Sequence, residues 1–286
     1  MATARAIKTV GVLGMGLMGT GIAQITAAAG IRVIGVEANP AAGKKSVDAI
    51  ARSLAALGDK AVKKGTTDAP SAAAHVAASL ARLTVTADRA ALRECDVVVE
   101  AAPEDWAFKS ALYRELRASV RPDAVLASNT SGLLIADLAR EFGDAGRVIG
   151  LHYFNPVPLM ALCEVATLPT TPPDVTATAF ALVRAQGKTP VLCTDSPGFI
   201  VNRLLVPFIA QAVALHDRGV ASVADIDAAM KLGTGHPMGC VVRARAAGRA
   251  VAAWRHFCVC SPTHPHPSTP PHTHTLHPPA QAPHAV

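Results

Sequence analysis

Apolar residues recur along this 286-residue chain in two alternating rhythms. Short runs rich in apolar residues, four to eight residues long, occur at 7–13, 31–37, 83–86, 96–101, 124–127, 147–154, 162–166 and 190–194. Runs of that length and composition are what strands covered on both faces require. Between them lie stretches with apolar positions at i, i+3, i+4 spacing, read as helices over an alanine-rich segment ending at Ala29 and over 41–64, 70–81, 106–119, 133–141 and 174–186. Strands alternating with helices predict an α/β fold with a mostly parallel sheet. At Ser196-Pro197-Gly198 the rhythm changes, and 199–232 shows helical spacing with no strand signal. This predicts a domain over 1–196 and the start of an all-α domain over 197–239, left incomplete by a change of texture near Cys240. Residues 261–286 contain eight prolines and six histidines, a composition too poor in core formers to offset the entropy of ordering. The segment 240–286 is therefore expected to be a disordered tail rather than a metal-binding histidine tract, and no metal site is expected.

The first strand–helix junction carries Gly14-x-Gly16-x-x-Gly19. Between a strand and a helix this spacing marks a Rossmann-type dinucleotide site. Gly14 permits the tight turn, Gly16 lets a pyrophosphate approach the backbone, and Gly19 lets the helix pack closely. The helix N-terminus adds free N–H groups and partial positive charge. Glu37 ends the second strand, where a carboxylate can bind ribose hydroxyls and would repel a 2′-phosphate, so NAD is expected rather than NADP. The competing reading is that the glycines merely pack a strand–helix corner.

Composition narrows the function classes. Half the residues are hydrophobic and 17% are charged, so the chain as a whole has the material for a core. No apolar run reaches the ~20 residues of a membrane helix, and 1–10 does not read as a secretory signal, so a soluble protein without a membrane partner is expected. Of the net charge of +6, the arginines of 241–286 supply +4, with no acidic residue after Asp227. That distribution, with 4% aromatics, does not suit a nucleic-acid partner. Six scattered cysteines, with Cys258 and Cys260 spaced C-x-C, suit a reducing compartment (cytoplasm, peroxisome or mitochondrion) better than a disulfide framework.

Five segments in order resemble the L-3-hydroxyacyl-CoA dehydrogenase family, which includes 3-hydroxybutyryl-CoA dehydrogenases: GMGLMGTGIA at 14–23, SNTS at 128–131, HYFNP at 152–156, Glu164, and DSPGFIVNR at 195–203. The resemblance runs from about Ile7 to Gly239 and implies NAD-dependent oxidation of a 3-hydroxyacyl-CoA to the 3-keto compound, or the reverse. The chemistry needs a base for the hydroxyl proton, and histidine is the usual choice near neutrality. His152 sits near the C-terminal end of a predicted strand, the edge where open α/β sheets bind ligands. A turn at 155–158 returns the chain so that Glu164 can lie beside His152 and orient its ring. The resemblance further assigns Ser131 and Asn202 to the substrate, Glu104 and Lys109 to the nicotinamide side of the cofactor, and Ser53 and Lys60 to CoA. Each has a plainer reading: Ser131 as the N-cap of the next helix, Asn202 as a polar bridge between domains, Glu104 and Lys109 as a solvated pair, Ser53 and Lys60 as part of a solvated basic face with Lys44, Lys45, Lys63 and Lys64.

Beyond Gly239 the family continues with further helices that complete the substrate cleft and the homodimer interface. The altered sequence here predicts that interface to be lost or impaired, through a changed reading frame, a retained intron or a gene-model error. Two alternatives therefore stand beside the dehydrogenase: a non-catalytic NAD-binding protein, and a β-hydroxyacid dehydrogenase of the 3-hydroxyisobutyrate type. The latter group uses a lysine on a glycine-rich helix, and 165–190 contains no such segment.

Overall fold

The computed structural model describes residues 2–240; the expected tail, with Cys258, Cys260 and the histidine tract, lies outside the described residues apart from Cys240. The described chain divides into two compact units, one ending at Leu204 and the other beginning at Leu205.

The first unit alternates strands and helices: β1 (Thr9–Leu13), α1 (Leu17–Ala28), β2 (Arg32–Val36), α2 (Pro40–Lys63), α3 (Ala69–Ala81), β3 (Leu83–Thr86), a 3-10 turn (Arg89–Glu94), β4 (Val97–Glu100), α4 (Trp106–Ser119), β5 (Val125–Ser128), α5 (Ile135–Phe142), β6 (Val148–Tyr153), β7 (Leu162–Thr167), α6 (Pro173–Ala185) and β8 (Thr189–Thr194). The 3-10 turn has no counterpart in the apolar pattern, because a single tight turn has no period to detect.

All eight strands form one sheet in the order β3-β2-β1-β4-β5-β6-β7-β8. Every neighbouring pair is parallel except β6 and β7. β1, β4, β5 and β6 are buried along their whole length, which is why their sequences are continuous apolar runs rather than alternating ones. Successive residues still point to opposite faces. Val97 and Val99 join one core cluster with residues of α1, α2 and α6, whereas Val98 joins a second with α4 and α5.

Helix starts follow local chemistry. Asn39, Asp68 and Asp105 each accept hydrogen bonds from first-turn N–H groups of α2, α3 and α4. α5 is capped from elsewhere in the chain: the Asp195 carboxylate accepts from Ile135 N–H at 3.0 Å and Ala136 N–H at 2.9 Å.

Helices α7 (Val201–Asp217) and α8 (Val223–Thr234) follow. In the second unit Ala212, Ile226 and Cys240 are buried together, packed by Phe208, Ala221, Val223 and Met230. Ser222 caps α8 by accepting from Asp225 N–H, and Gly235 ends it in the left-handed conformation. Within the first unit the amides of Ile200 and Val201 bond to Glu164 in β7. No described helix is long and apolar enough to cross a membrane.

Candidate active site

Parallel strands deliver their C-terminal ends to one edge of the sheet, and two cavities open there. One, of about 490 Å³, is lined by Gly14, Gly16, Leu17 and Met18 from the first junction, Glu37 from the end of β2, and Ala101 and Ala102 beyond β4. The other, of about 310 Å³, is lined by Glu104, Asn129, Ser131, His152 and Phe154, and shares Met18, Ala101 and Ala102 with the first. The shared residues form a common wall between the two, which lie side by side.

The glycine loop fits a dinucleotide. Gly14 has φ +88°, and a side chain there would meet the Ala101 carbonyl oxygen at 2.9 Å. At Gly19 a Cβ would lie 1.8 Å from the Gly14 carbonyl oxygen, so the helix could not seat against its own loop with any larger residue. At Gly16 a Cβ would meet nothing within 4 Å, so packing within the protein does not demand glycine there. Its bareness opens the backbone to a ligand. No side chain caps α1 and no acidic residue lies in its first turn, so the positive end of the helix faces the larger cavity. Glu37 stands on the cavity wall, where its carboxylate accepts from Met15 N–H at 3.0 Å and Asn39 N–H at 3.1 Å.

His152 and Glu164 are directly opposite each other on antiparallel β6 and β7. Opposite residues project to the same face, and His152 Nδ1 lies 2.7 Å from Glu164 Oε2. Both side chains are buried, and His152 lines the smaller cavity. The other oxygen of Glu164 accepts from Ile200 N–H at 3.1 Å and Val201 N–H at 2.8 Å, at the start of α7. Burial pushes the Glu164 carboxyl up, but the His152 hydrogen bond, the two amides and the imidazole's charge outweigh it, so its pKa lies below the ordinary carboxylate value. A carboxylate at Nδ1 holds the N–H on that nitrogen and leaves the Nε2 lone pair to the cavity. The ring is packed by Phe154 at 4.5 Å and Phe199 at 5.6 Å between centroids. Phe199 has φ +48°, a left-handed conformation that costs about 1–3 kcal/mol in a non-glycine residue. It is buried in the core beside the Glu164-bonded amides, which hold it there.

On the facing side of the cleft Glu104 gathers the loop after β5. Its Oε1 accepts from the Ser131 N–H at 2.8 Å, the Gly132 N–H at 3.1 Å and the hydroxyls of Thr130 and Ser131 at 2.5 and 3.3 Å. Burial raises the Glu104 pKa, but the Lys109 charge and these hydrogen bonds more than offset it, leaving the carboxyl below its usual range. Lys109 and Glu104 are not a solvated pair. Lys109 is 1% exposed, and its ammonium donates to Glu100 at 2.6 Å and lies 3.4 Å from Glu104. Nor does Ser131 cap a helix at 133: α5 begins at Ile135, Asp195 caps it, and the Thr130 hydroxyl accepts from Leu133 N–H at 2.9 Å. Asn202 lies in the first turn of α7 beside the Glu164-bonded amides and does not line the smaller cavity. Ser53 and Lys60 stand seven residues apart on α2, half-buried and exposed, and line neither cavity of the cleft.

Two site residues were given no role from the sequence. Glu100, fully buried at the end of β4, accepts from Lys109, Ser128 Oγ at 2.7 Å, Tyr113 OH at 3.3 Å and Ala102 N–H at 2.7 Å. The carboxylate ending an apolar strand was the available clue. Asn129 Oδ1 accepts from Tyr153 N–H at 2.9 Å, joining the β5 loop to the residue after His152.

Comparison with known proteins agrees with this arrangement. The family model for the 3-hydroxyacyl-CoA dehydrogenase NAD-binding domain matches residues 9–196, and that for the C-terminal domain of the same family matches 198–254, extending past Gly239. The chain is 43% identical over 234 residues to rat (Rattus norvegicus) mitochondrial hydroxyacyl-coenzyme A dehydrogenase, covering 82% of this chain and 74% of the relative. It is 40% identical over 229 residues to a probable 3-hydroxybutyryl-CoA dehydrogenase of Deinococcus radiodurans, covering 80% and 79%. Among solved structures, (S)-3-hydroxybutyryl-CoA dehydrogenase from Ralstonia eutropha superposes with a TM-score of 0.81 at 37% identity, covering 88% of each chain. The glycine-lined cleft, the buried His–Glu pair and these matches together make the chain a member of the NAD-dependent 3-hydroxyacyl-CoA dehydrogenase family.

Proposed function

We propose that this chain oxidises an L-3-hydroxyacyl-CoA to the 3-ketoacyl-CoA with NAD, or runs the reverse reduction. The observation that carries the proposal is the 2.7 Å His152–Glu164 pair, with His152 lining a cavity that adjoins the glycine-lined one. His152 Nε2 takes the proton of the substrate 3-hydroxyl as the C3–H bond breaks. Glu164 keeps the proton on Nδ1 in the resting ring and stabilises the imidazolium that forms. The two α7 amides hold Glu164 in turn, so the base is oriented by a carboxylate that is itself fixed. The chemistry supplied by NAD when bound is acceptance of the hydride from C3.

Other residues bind and orient. Gly14, Gly16 and Gly19 shape the loop that receives the pyrophosphate, and Glu37 takes the ribose hydroxyls. Glu104, steadied by Lys109, faces the nicotinamide side. The Ser131 hydroxyl, already on the cavity wall, donates to the substrate 3-oxygen, and Asn202 adds a second donor to that oxygen or to the thioester carbonyl. Ser53 and Lys60 on α2 take the CoA moiety, with the Lys60 ammonium pairing a phosphate. A reducing compartment suits Cys95, Cys163 and Cys193, which stand as thiols; burial, with the adjacent acidic side chains, pushes Cys95 up to about 12.

The test is NADH-dependent reduction of acetoacetyl-CoA by the full chain, with NADH binding followed separately. Turnover that disappears in His152→Gln while NADH still binds is the expected result. Turnover that survives the substitution would remove His152 as the base, and NADH binding by the unsubstituted chain without turnover would favour a non-catalytic NAD-binding protein.

A further inference from the structure

The β6–β7 hairpin carries both members of the His152–Glu164 pair, and its turn, residues 154–161, runs over the surface. Asn155, Pro156, Leu159 and Met160 are exposed, but Val157 at the centre of the turn is 2% exposed. It is buried against α1, the helix that opens at the glycine loop. A Cβ at Gly21 would lie 2.6 Å from Val157 Cβ and 3.0 Å from one of its methyl carbons, so the helix has a notch at residue 21 that the valine fills.

Two further links hold the same geometry. The Lys188 ammonium, 8% exposed, donates to the carbonyls of Val157 and Met160, both at 2.5 Å, closing the turn from beneath. A buried ammonium spent on two carbonyls of one turn is an expensive way to order a surface loop. Tyr153, next to His152, donates to Gln186 at 2.7 Å; Gln186 donates to Thr26 at 2.7 Å; and Thr26 donates to the Ile22 carbonyl of α1 at 2.7 Å. The hairpin that bears the histidine is thus tied twice to the helix that bears the dinucleotide loop.

We propose that Gly21 and Val157 are positioning residues: the valine seated in the glycine notch sets how far His152 stands from the bound nicotinamide, and Lys188 keeps the valine seated. This rests on the function proposed above, in which proton and hydride leave the same substrate carbinol and the two acceptors must be held in register. An error of about 1 Å in such a register costs on the order of 100-fold in rate. None of the three residues needs to touch substrate or cofactor.

The experiment is a size exchange in the full chain. Gly21→Ala, Val157→Gly and the double variant are compared for kcat and KM in acetoacetyl-CoA reduction and for NADH affinity by fluorescence titration. NMR of ring-labelled histidine reads the His152 resonance with and without NADH. Gly21→Ala is expected to lower kcat about 10- to 100-fold with NADH affinity within about twofold, and to abolish the NADH-induced shift of His152. The double variant, in which Val157→Gly removes the Cβ that the new methyl at residue 21 would meet, is expected to recover most of the kcat and the shift. An unchanged kcat in Gly21→Ala, or a loss the double variant does not recover, overturns the proposal. If Gly21→Ala fails to fold, Lys188→Met is the deciding variant. A lowered kcat with unchanged NADH affinity supports the proposal, and an unchanged kcat overturns it. Should the unsubstituted chain reduce no acetoacetyl-CoA, the proposed function falls, whereas the histidine shift still decides the positioning.

Discussion

Two carboxylates, Glu100 and Glu164, are fully buried at the same edge of the same sheet, each within 2.7 Å of a basic side chain. They serve different ends. Around Glu100 the partners are Lys109, Ser128, Tyr113 and the Ala102 amide, and Lys109 is itself sealed from solvent. Around Glu164 the partner is an imidazole with a second nitrogen, and that ring forms part of a cavity wall. A buried ion pair alone does not mark a reactive site, since such pairs are as often scaffolding. What separates the two regions is whether the base has an atom left over for something else. Lysine spends its charge on the carboxylates beside it; histidine gives one nitrogen to Glu164 and keeps the other.

Substitutions should break this symmetry in different currencies. The largest effect is expected from His152→Gln, which should lower kcat by about 10²- to 10⁴-fold with little change in urea-unfolding stability, measured on acetoacetyl-CoA reduction. Lys109→Met should act the other way. It strands a buried carboxylate and is expected to cost about 3–5 kcal/mol of stability by urea unfolding. The double variant Glu100→Gln/Lys109→Met should regain much of that loss, and no recovery would mean that the pair is not the source of the cost.

Gly16→Ala sharpens the contrast between packing and binding. The added methyl enters open space, so the melting temperature should hold while NADH binds about tenfold more weakly, or ~1.4 kcal/mol, by fluorescence titration. Gly19→Ala, which would drive a Cβ into the Gly14 carbonyl, should instead lower the melting temperature.

The smallest effect is in pH. Glu164 and Glu104 both have pKa values lowered on folding, so the stability they contribute is fully present above the unfolded value of about 4.3 and is lost as pH falls through their lower folded values. Urea unfolding between pH 6 and pH 3 should show that loss, with a shallower slope in Glu104→Gln.

Much of this was legible in the chain itself. Strands buried on both faces must be rich in apolar residues, so β1, β4, β5 and β6 stood out as apolar runs, and the glycine spacing pointed to a nucleotide because only a bare backbone permits the turn and the close approach. The His–Glu pair was legible because the turn at 155–158 returns the chain, and antiparallel strands bring opposite residues together. Lys109 was not: nothing in the spacing of Glu104 and Lys109 says that a lysine will be buried, because its first partner, Glu100, arrives from the end of a strand. The cap on α5 was also hidden, since Asp195 comes from some sixty residues away.

The sequence alone determined the order of elements, the glycine loop and the pairing of His152 with Glu164, because each is encoded by local periodicity or by residue type at short range. The tertiary structure decided which charges are sealed and which face the cleft, and that Gly21 is a notch for Val157 rather than one more glycine in a helix. Those outcomes depend on side chains distant in the chain meeting in a densely packed interior, where burial and hydrogen bonding, not residue type, set what a group can do.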